Sequence, residues 1–398
     1  MGYKKQLNLC RYAFRNVQVY RGRTISILIS LSIIIGLLSA VDFLREGINQ
    51  DADASLAFAP DVLVQGYEAG RLVPIENTKI AEIEGIEGVR VVSPRVWGYL
   101  SAANRLYTMM GIEFGRYPLN TSELAFEIRD GRIIEPNESH PVCIIGSGVA
   151  EDSSAQVGSW LLLTDINGVE MDFEVIGIFS VTSKIYSHDL ILTDIQFSRI
   201  FFNMDTNYST DIAVWSESNS NSDSSDLALV IADTVDGIKV IDKFTMGNLI
   251  HHSTNERAGY FTIIWSVLLI GSLLFTFTIS SAVSIEARKE IGLLKTLGFS
   301  TFDVLEIRII EYTMTGFIAS TIGIFCAIIY DFYLGAPILA NFMLGWSVLF
   351  PPYILPLKIT FESLLVAYGI GIIPLLIGVI VPAWRNAITE PDEVLRGL

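Results

Sequence analysis

The side chains that most often carry chemistry in proteins form no recognisable catalytic pattern in this chain. Ser147 lies in IIGSGVA, which lacks the full GxSxG pattern of a nucleophile elbow. His251 and His252 are adjacent, so their side chains would point apart on a helix, and no Cys, Asp or Glu cluster at ligand spacing accompanies them. The sequence also contains no GxxxxGK[ST] phosphate-binding loop. We therefore expect this chain to be no enzyme and to hold neither a metal nor a cofactor.

Composition indicates a membrane protein. The chain has 398 residues, of which 51% are hydrophobic, and its mean hydropathy is +0.47, a value that water-soluble domains rarely reach. Its net charge is −16, but residues 45–258 contain 32 acidic and 14 basic residues, so the acidity belongs to one region. An acidic region lacks the basic footprint that nucleic acid requires, which excludes nucleic acid as a partner.

Four apolar runs are long enough to cross a bilayer as helices. We place these spans at residues 24–44, 259–283, 304–330 and 361–384. Residues 1–23 contain six basic residues and no acidic residue, which by the positive-inside rule predicts a cytoplasmic N-terminus. The LNLCRYAFRNV stretch within them is amphipathic and either lies along the inner membrane surface or serves only as an orientation signal. The chain is thus expected in the cytoplasmic membrane.

Three regions outside the membrane follow from this topology. Residues 45–258 show short alternating apolar runs broken by Gly, Pro, Asn and Asp, which is typical of a water-soluble α+β domain. With the N-terminus inside, this domain is extracytoplasmic, residues 331–360 form an outer loop, and residues 385–398 form a cytoplasmic tail. Within the domain, the polar tract from Ser216 to Asp226 is expected to be a disordered or mobile loop.

A charged segment, residues 284–303, separates the second and third spans. At helical spacing one side of the segment is apolar, and a glycine follows its last apolar residue, where helices commonly end. The apolar side comprises Ile285, Ile291, Leu293, Leu294 and Leu297. On periodicity alone, this segment is either a short amphipathic interfacial helix or a positively charged stop signal after a membrane span.

The sequence of this segment, EARKEIGLLKTLGFS, closely resembles the loop between spans two and three of FtsX/MacB-like permeases, the type VII ABC transporter family. The C-terminal PAWRNAITEPDEVLRGL resembles the final signature of the same family, and residues 142–179 resemble its MacB-type extracytoplasmic core domain. In this family the loop is a coupling helix that docks on a separate ATPase. The resemblance assigns that role to Glu286, Arg288, Lys289, Glu290, Ile291, Gly292, Leu293, Lys295 and Gly298.

The resemblance implies a function as the membrane subunit of an ABC transporter. ATP and Mg would bind a separate ATPase subunit, and the permease would work as a homodimer or as a heterodimer with a related permease. Movements of the extracytoplasmic domain would export or extract an amphiphilic, peptide or lipid-linked client, with membrane lipid and an extracytoplasmic adaptor or substrate protein as further partners. Two alternatives stay open: a non-transporting mechanotransmission complex that activates a surface hydrolase, and an ATPase-free membrane receptor.

Three Asn-x-Ser/Thr sequons begin in the predicted extracytoplasmic domain, at Asn120, Asn137 and Asn207. On such a domain they can carry glycans if the host has the required enzymes.

Overall fold

The computed structural model describes residues 2–56, 59–102, 105–119, 126–136, 138–181, 183, 188–217, 221–281, 294–343 and 355–388. The chain divides into two units. The first, which we call the membrane unit, comprises Met1–Gly47, Asn255–Met343 and Leu357–Leu398. The second, the α+β unit, comprises Ile48–Thr254 and Leu344–Pro356.

Ten α-helices lie within the described residues. They are α1 (Gly2–Val19), α2 (Arg21–Leu56), α3 (Thr78–Glu84), α4 (Ser147–Ser153), α5 (Ile195–Phe201), α6 (Asn221–Thr234), α7 (Lys243–Ser281), α8 (Thr301–Ile328), α9 (Leu339–Met343) and α10 (Phe361–Ile388). One π-helical turn, Ile329–Tyr333, directly continues α8.

Four of these helical segments are long and apolar enough to cross a membrane: Arg21–Leu56, Lys243–Phe275, Thr301–Tyr333 and Phe361–Trp384. Each overlaps one of the spans predicted from the sequence, and we refer to them as spans 1 to 4. The prediction of four membrane-spanning helices is confirmed.

Spans 1, 3 and 4 pack closely because small residues line their contacts. A Cβ atom on Gly323 would lie 2.8 Å from the Ser32 carbonyl oxygen, and one on Gly316 would lie 2.8 Å from the Gly371 carbonyl oxygen. Such short approaches are possible only where no side chain intervenes, which is how helices associate without a hydrophobic driving force in lipid. The glycines thus set the separation of span 3 from spans 1 and 4.

Hydroxyl groups add hydrogen bonds across the same contacts. Ser32 Oγ donates to the Ala319 carbonyl oxygen at 3.1 Å, and Ser320 Oγ donates to that of Ala367 at 3.5 Å. Span 2 is attached differently: its Trp265 indole N–H donates to the Ile34 carbonyl oxygen of span 1 at 3.1 Å. Most of its apolar side chains are exposed.

The α+β unit is built on a mixed sheet. Its strands are β1 (Val62–Glu68), β2 (Arg71–Val73), β3 (Ile75–Glu76), β4 (Val89–Ala102), β5 (Arg105–Ile112), β6 (Glu127–Gly131), β7 (Val142–Gly146), β8 (Trp160–Asp165), β9 (Glu170–Ser180), β10 (Leu190–Asp194), β11 (Tyr208–Ser209), β12 (Asp211–Ser216) and β13 (Ile238–Asp242). Among the described residues, the main sheet has the order β13-β1-β12-β4-β5-β10-β7-β9-β6, with β2 on β1 and β8 between β4 and β9.

Pairings within this sheet are antiparallel except for β10 with β5 and β7 with β9, which are parallel. Residues on β7 and β10 are buried on both faces, as expected for central strands. Among the described residues of this unit, three apolar clusters form the core. The first includes Tyr107 and Phe173, the second Trp215 and Phe179, and the third Ile83. The predicted α+β domain is confirmed.

The polar tract between Ser216 and Asp226 differs from expectation. Helix α6 begins at Asn221, so the second half of the tract is helical. Ser224 is buried, and Ser225 Oγ donates a hydrogen bond to Asp242 Oδ2 at 2.7 Å. Short polar side chains favour the first turn of a helix, where they satisfy free backbone groups, and here β13 supplies the partner.

We predict that Gly323→Ala destabilises the packing of spans 1 and 3, because its Cβ would overlap the Ser32 carbonyl oxygen. Gly271→Ala on span 2 is the matched control, since nothing lies within 4 Å of a Cβ there. Size-exclusion chromatography after heating in mild detergent measures the melting temperature of each variant. A lower melting temperature is expected for Gly323→Ala alone, and equal values would contradict the packing.

A second prediction concerns Asp189, which is buried and accepts a hydrogen bond from Thr108 Oγ1 at 3.0 Å. Burial raises its pKa from 3.8 to about 6. The folded protein therefore holds this proton more tightly than the unfolded chain, and the free energy of unfolding falls as pH rises from about 4 to about 6. Asp189→Asn removes the free-energy cost of ionising this buried group and should stabilise the domain by about 3 kcal/mol at pH 7 and by less than about 1 kcal/mol at pH 4.

Thermal unfolding at the two pH values measures this effect. Asp172→Asn, which changes an exposed carboxylate, is the control and should show little difference between pH 4 and pH 7. A stabilisation by Asp189→Asn that is equal at both pH values would show that ionisation of Asp189 is not the cause.

Candidate functional site

The predicted coupling segment is described only at its C-terminal end. Glu286, Arg288, Lys289, Glu290, Ile291, Gly292 and Leu293 lie outside the described residues, whereas Lys295 and Gly298 lie within them. The site is therefore built from residues 294–300 and the parts of the membrane unit that they contact.

Residues 294–299 form a Schellman motif, which ends a helix. The Phe299 N–H donates to the Leu294 carbonyl oxygen at 3.1 Å, and the Gly298 N–H donates to that of Lys295 at 3.0 Å. Gly298 has a φ of +92°, a conformation that disfavours residues with a Cβ. The predicted helix end at Gly298 therefore has a specific structural basis.

Span 3 begins two residues later with a capping box. The Asp303 N–H donates to Ser300 Oγ at 3.2 Å, and the Ser300 N–H donates to Asp303 Oδ2 at 3.0 Å. These two bonds satisfy backbone donors at the start of α8. Only Phe299 lies between Gly298, where the first helix ends, and Ser300, which caps the next helix, so the two helices are joined almost directly.

Phe299 also attaches this connection, residues 294–300, which we call the joint, to the N-terminal helix. It packs against a buried apolar cluster made by α1 and α8, whose members are Leu9, Ala13 and Ile307, with Tyr12 and Ile310 around them. The apolar face of the amphipathic N-terminal stretch is thus covered, at least in part, by span 3.

A buried carboxylate ties the same elements together. Glu311 on span 3 accepts hydrogen bonds from Arg308 Nη1 at 2.6 Å and from Asn16 Nδ2 at 3.4 Å, and it forms an ion pair with Arg23 of span 1. Its side chain is 3% exposed. The Arg23 guanidinium also lies 5.3 Å from the ring centre of Tyr20 and 5.6 Å from that of Tyr312. We call Asn16, Arg23, Arg308 and Glu311 the Glu311 cluster.

The remaining residues singled out in the sequence do not join this cluster. Ser147 begins α4. His251 lies in the α+β unit with its Nε2 atom 2.7 Å from Asp53 Oδ1. Within the described part of the chain, no group of three or more His, Cys, Asp or Glu residues is arranged to hold a metal.

The described sequon, Asn207, is exposed on the loop before β11. Its N–H donates to Asp205 Oδ1 at 2.8 Å, and its carbonyl oxygen accepts from the Asn77 N–H at 2.8 Å. Asn120 and Asn137 lie outside the described residues.

Comparison with known proteins identifies both halves of the chain. The sequence model of the MacB-like periplasmic core domain matches residues 24–236, more than half of the chain, and that of the FtsX-like permease C-terminal region matches residues 262–391. The chain belongs to the FtsX/MacB-like family of ABC transporter permeases. The α+β unit corresponds to the extracytoplasmic domain of this membrane-embedded permease.

One curated relative matches along its whole length. The permease is 21% identical over 421 residues to a protein of Methanocaldococcus jannaschii described as an uncharacterized ABC transporter permease, and the alignment covers 98% of each chain.

The chain is also similar to solved structures of the extracytoplasmic regions of two transporters. The first is the extracellular domain of the noncanonic ABC-type transporter YknZ from Gram-positive bacteria. The alignment covers 46% of this chain and 98% of that domain, with 18% identity and a TM-score of 0.33. The second is the periplasmic region of MacB from Actinobacillus actinomycetemcomitans. The alignment covers 48% of this chain and 91% of that region, with 12% identity and a TM-score of 0.35.

We predict that Glu311→Ala strongly destabilises the membrane unit. The substitution leaves the positive charges of Arg23 and Arg308 without their buried carboxylate, and breaking a buried pair in this way typically costs about 3 to 5 kcal/mol. Glu306→Ala, one and a half turns earlier on the same helix, is the control because it lies outside the Glu311 cluster. Detergent-solubilised variants are compared by melting temperature; equal values for the two would rule out a stabilising role of the cluster.

Proposed function

We propose that this permease couples ATP hydrolysis on a separate ATPase subunit to movements of its extracytoplasmic domain. In this proposal both termini and residues 284–303 face the cytoplasm, and residues 286–293, Lys295 and Gly298 make up the coupling helix. ATP and Mg bind the partner ATPase, not this chain. Two permease subunits, identical or related, work together with two ATPases, since one four-span subunit buries too little surface to enclose a path.

The joint at residues 294–300 is the observation that carries the proposal. A helix that ends in a Schellman motif is followed almost at once by the capped start of span 3, and Phe299 packs on α1 between them. A displacement of the coupling helix by the ATPase would therefore move span 3 and α1 together. The Glu311 cluster ties both to span 1, and the chain continues from span 1 into the extracytoplasmic domain.

A cavity in the membrane unit supports an amphiphilic or lipid-linked client. It has a volume of about 330 Å³ and is lined by spans 1 and 2, by the end of span 3 and by residues that follow it. Its lining is apolar apart from a few groups, and includes Val41, Phe261, Trp265 and Leu268, with Asp42 and Arg45 at one side. Small apolar cavities with few polar groups suit the apolar part of a ligand. Export or extraction of such a client is the function we favour over activation of a surface hydrolase.

The coupling role is tested by Gly292→Asp and Leu293→Asp. A charge on the apolar or close-packed side of an ATPase-docking helix adds a desolvation cost, so we expect loss of ATPase association with membrane insertion intact. Leu72→Asp is the control, because it adds the same charge to an exposed apolar site on β2 of the extracytoplasmic domain.

The measurement is copurification of the ATPase with the tagged permease from native membranes, followed by an assay of ATP hydrolysis. If Gly292→Asp and Leu293→Asp copurify with the ATPase as well as the unmodified permease does, the assignment of this segment as the coupling helix is wrong. Recovery of the unmodified permease alone and inactive would instead favour the ATPase-free receptor.

A further inference from the structure

The β8–β9 hairpin of the extracytoplasmic domain exposes large apolar side chains on one face. Trp160 and Leu162 alternate with inward-facing neighbours along β8 and are 58% and 52% exposed. Ile166, in the turn, is 77% exposed. Exposed apolar groups that adjoin one another in this way, unlike single scattered ones, commonly mark an interaction site.

A row of carboxylates runs beside this apolar row. In the register of the hairpin, Trp160 lies opposite Glu174, Leu162 opposite Asp172, and Thr164 opposite Glu170. Directly opposed residues of antiparallel strands share a face, so the apolar and the acidic rows are presented together. Glu170 and Asp172 make no ion pair with any described residue, whereas Glu174 lies 2.6 Å from His140 Nε2.

The hairpin holds this face in a fixed shape. At the turn, Asp165 Oδ1 accepts hydrogen bonds from the backbone N–H groups of Asn167 and Val169 at 2.8 and 2.7 Å. The Asp165 N–H also donates to the Val169 carbonyl oxygen at 2.9 Å. At the other end, the Trp160 ring lies 5.9 Å from that of His140, with 31° between the planes. A surface ordered before binding loses less conformational entropy when a partner docks.

We propose that this face of the β8–β9 hairpin is the docking surface for a separate protein that presents an apolar row flanked by Lys or Arg side chains. Tryptophan is enriched among residues that dominate binding energy, and the acidic row would pair with the basic flanks. The same face of a second copy fits poorly as the partner, since it would set one row of carboxylates against another. Anionic lipid is disfavoured by the same carboxylates.

The test uses the full-length permease in nanodiscs of zwitterionic lipid, without ATPase, so its outcome does not depend on the coupling proposal. The probe is a seven-residue peptide of alternating Lys and Leu with a neutral fluorophore, and its counterpart has Glu in place of Lys. Fluorescence anisotropy measures each Kd, with empty nanodiscs subtracted. We expect binding of the Lys-Leu peptide only.

Two face variants and two matched controls locate the binding site. Leu162→Ser with Ile166→Ser, and Glu170→Lys with Asp172→Lys, should each raise the Kd at least about tenfold. Leu229→Ser and Asp233→Lys alter exposed residues of the same kinds on α6 and should leave the Kd unchanged. All these side chains are exposed, so unchanged melting temperatures should accompany the effects.

Several results would overturn the proposal: no binding of the Lys-Leu peptide, equal binding of the Glu-Leu peptide, or equal weakening by the α6 controls. The mass of the solubilised complex tests self-association, and a fall to the monomer mass in the face variants alone would assign the surface to a second copy instead. Flotation with lipid vesicles that depends on Trp160 and Ile166 would assign it to the membrane.

Discussion

The membrane unit depends on one electrostatic constraint, the carboxylate of Glu311 inside a membrane span. A charge in this setting is costly unless it is paired and hydrogen-bonded. Three donors from three parts of the chain meet that requirement: Asn16 from α1, Arg23 from span 1 and Arg308 from span 3 itself. Span 1 cannot move away from span 3 without leaving the charge of Arg23 unpaired. The N-terminal helix is held to span 3 by the Asn16 hydrogen bond and by apolar packing, so the three elements form one packed group.

Close helix contacts complete this arrangement farther along the spans. Gly323 and Gly316 bring span 3 against spans 1 and 4, and serine hydroxyls bond across the contacts to backbone carbonyls. Span 2 takes little part, since few of its side chains are buried within the subunit. The short connection between Gly298 and Ser300 links the predicted coupling helix to span 3, which packs against spans 1 and 4, and not to the more exposed span 2.

Much of the architecture was predictable because membrane burial imposes strong patterns on a sequence. Runs of about twenty apolar residues identified all four spans, and alternation with turn residues identified the α+β domain. The glycine at the end of the charged segment predicted a helix end, which the Schellman motif at Gly298 confirms. Spacing allowed the Arg308–Glu311 pair, because residues three apart share a helix face. Local sequence motifs also indicated the family, and family models match both halves of the chain.

Tertiary structure decided what depends on residues far apart in the chain. No local signal links Arg23 or Asn16 to Glu311, since almost three hundred residues separate them, and only helix packing places them together. The helical start of α6 at Asn221 was missed because a polar tract has no apolar periodicity, while its stabilising contact with Asp242 is tertiary. Likewise, the apolar run at the start of β8, WLLL, predicts a strand but not which of its side chains are covered. The register against β9 and the position of the hairpin at the sheet surface determine that Trp160 and Leu162 face outward beside a row of carboxylates.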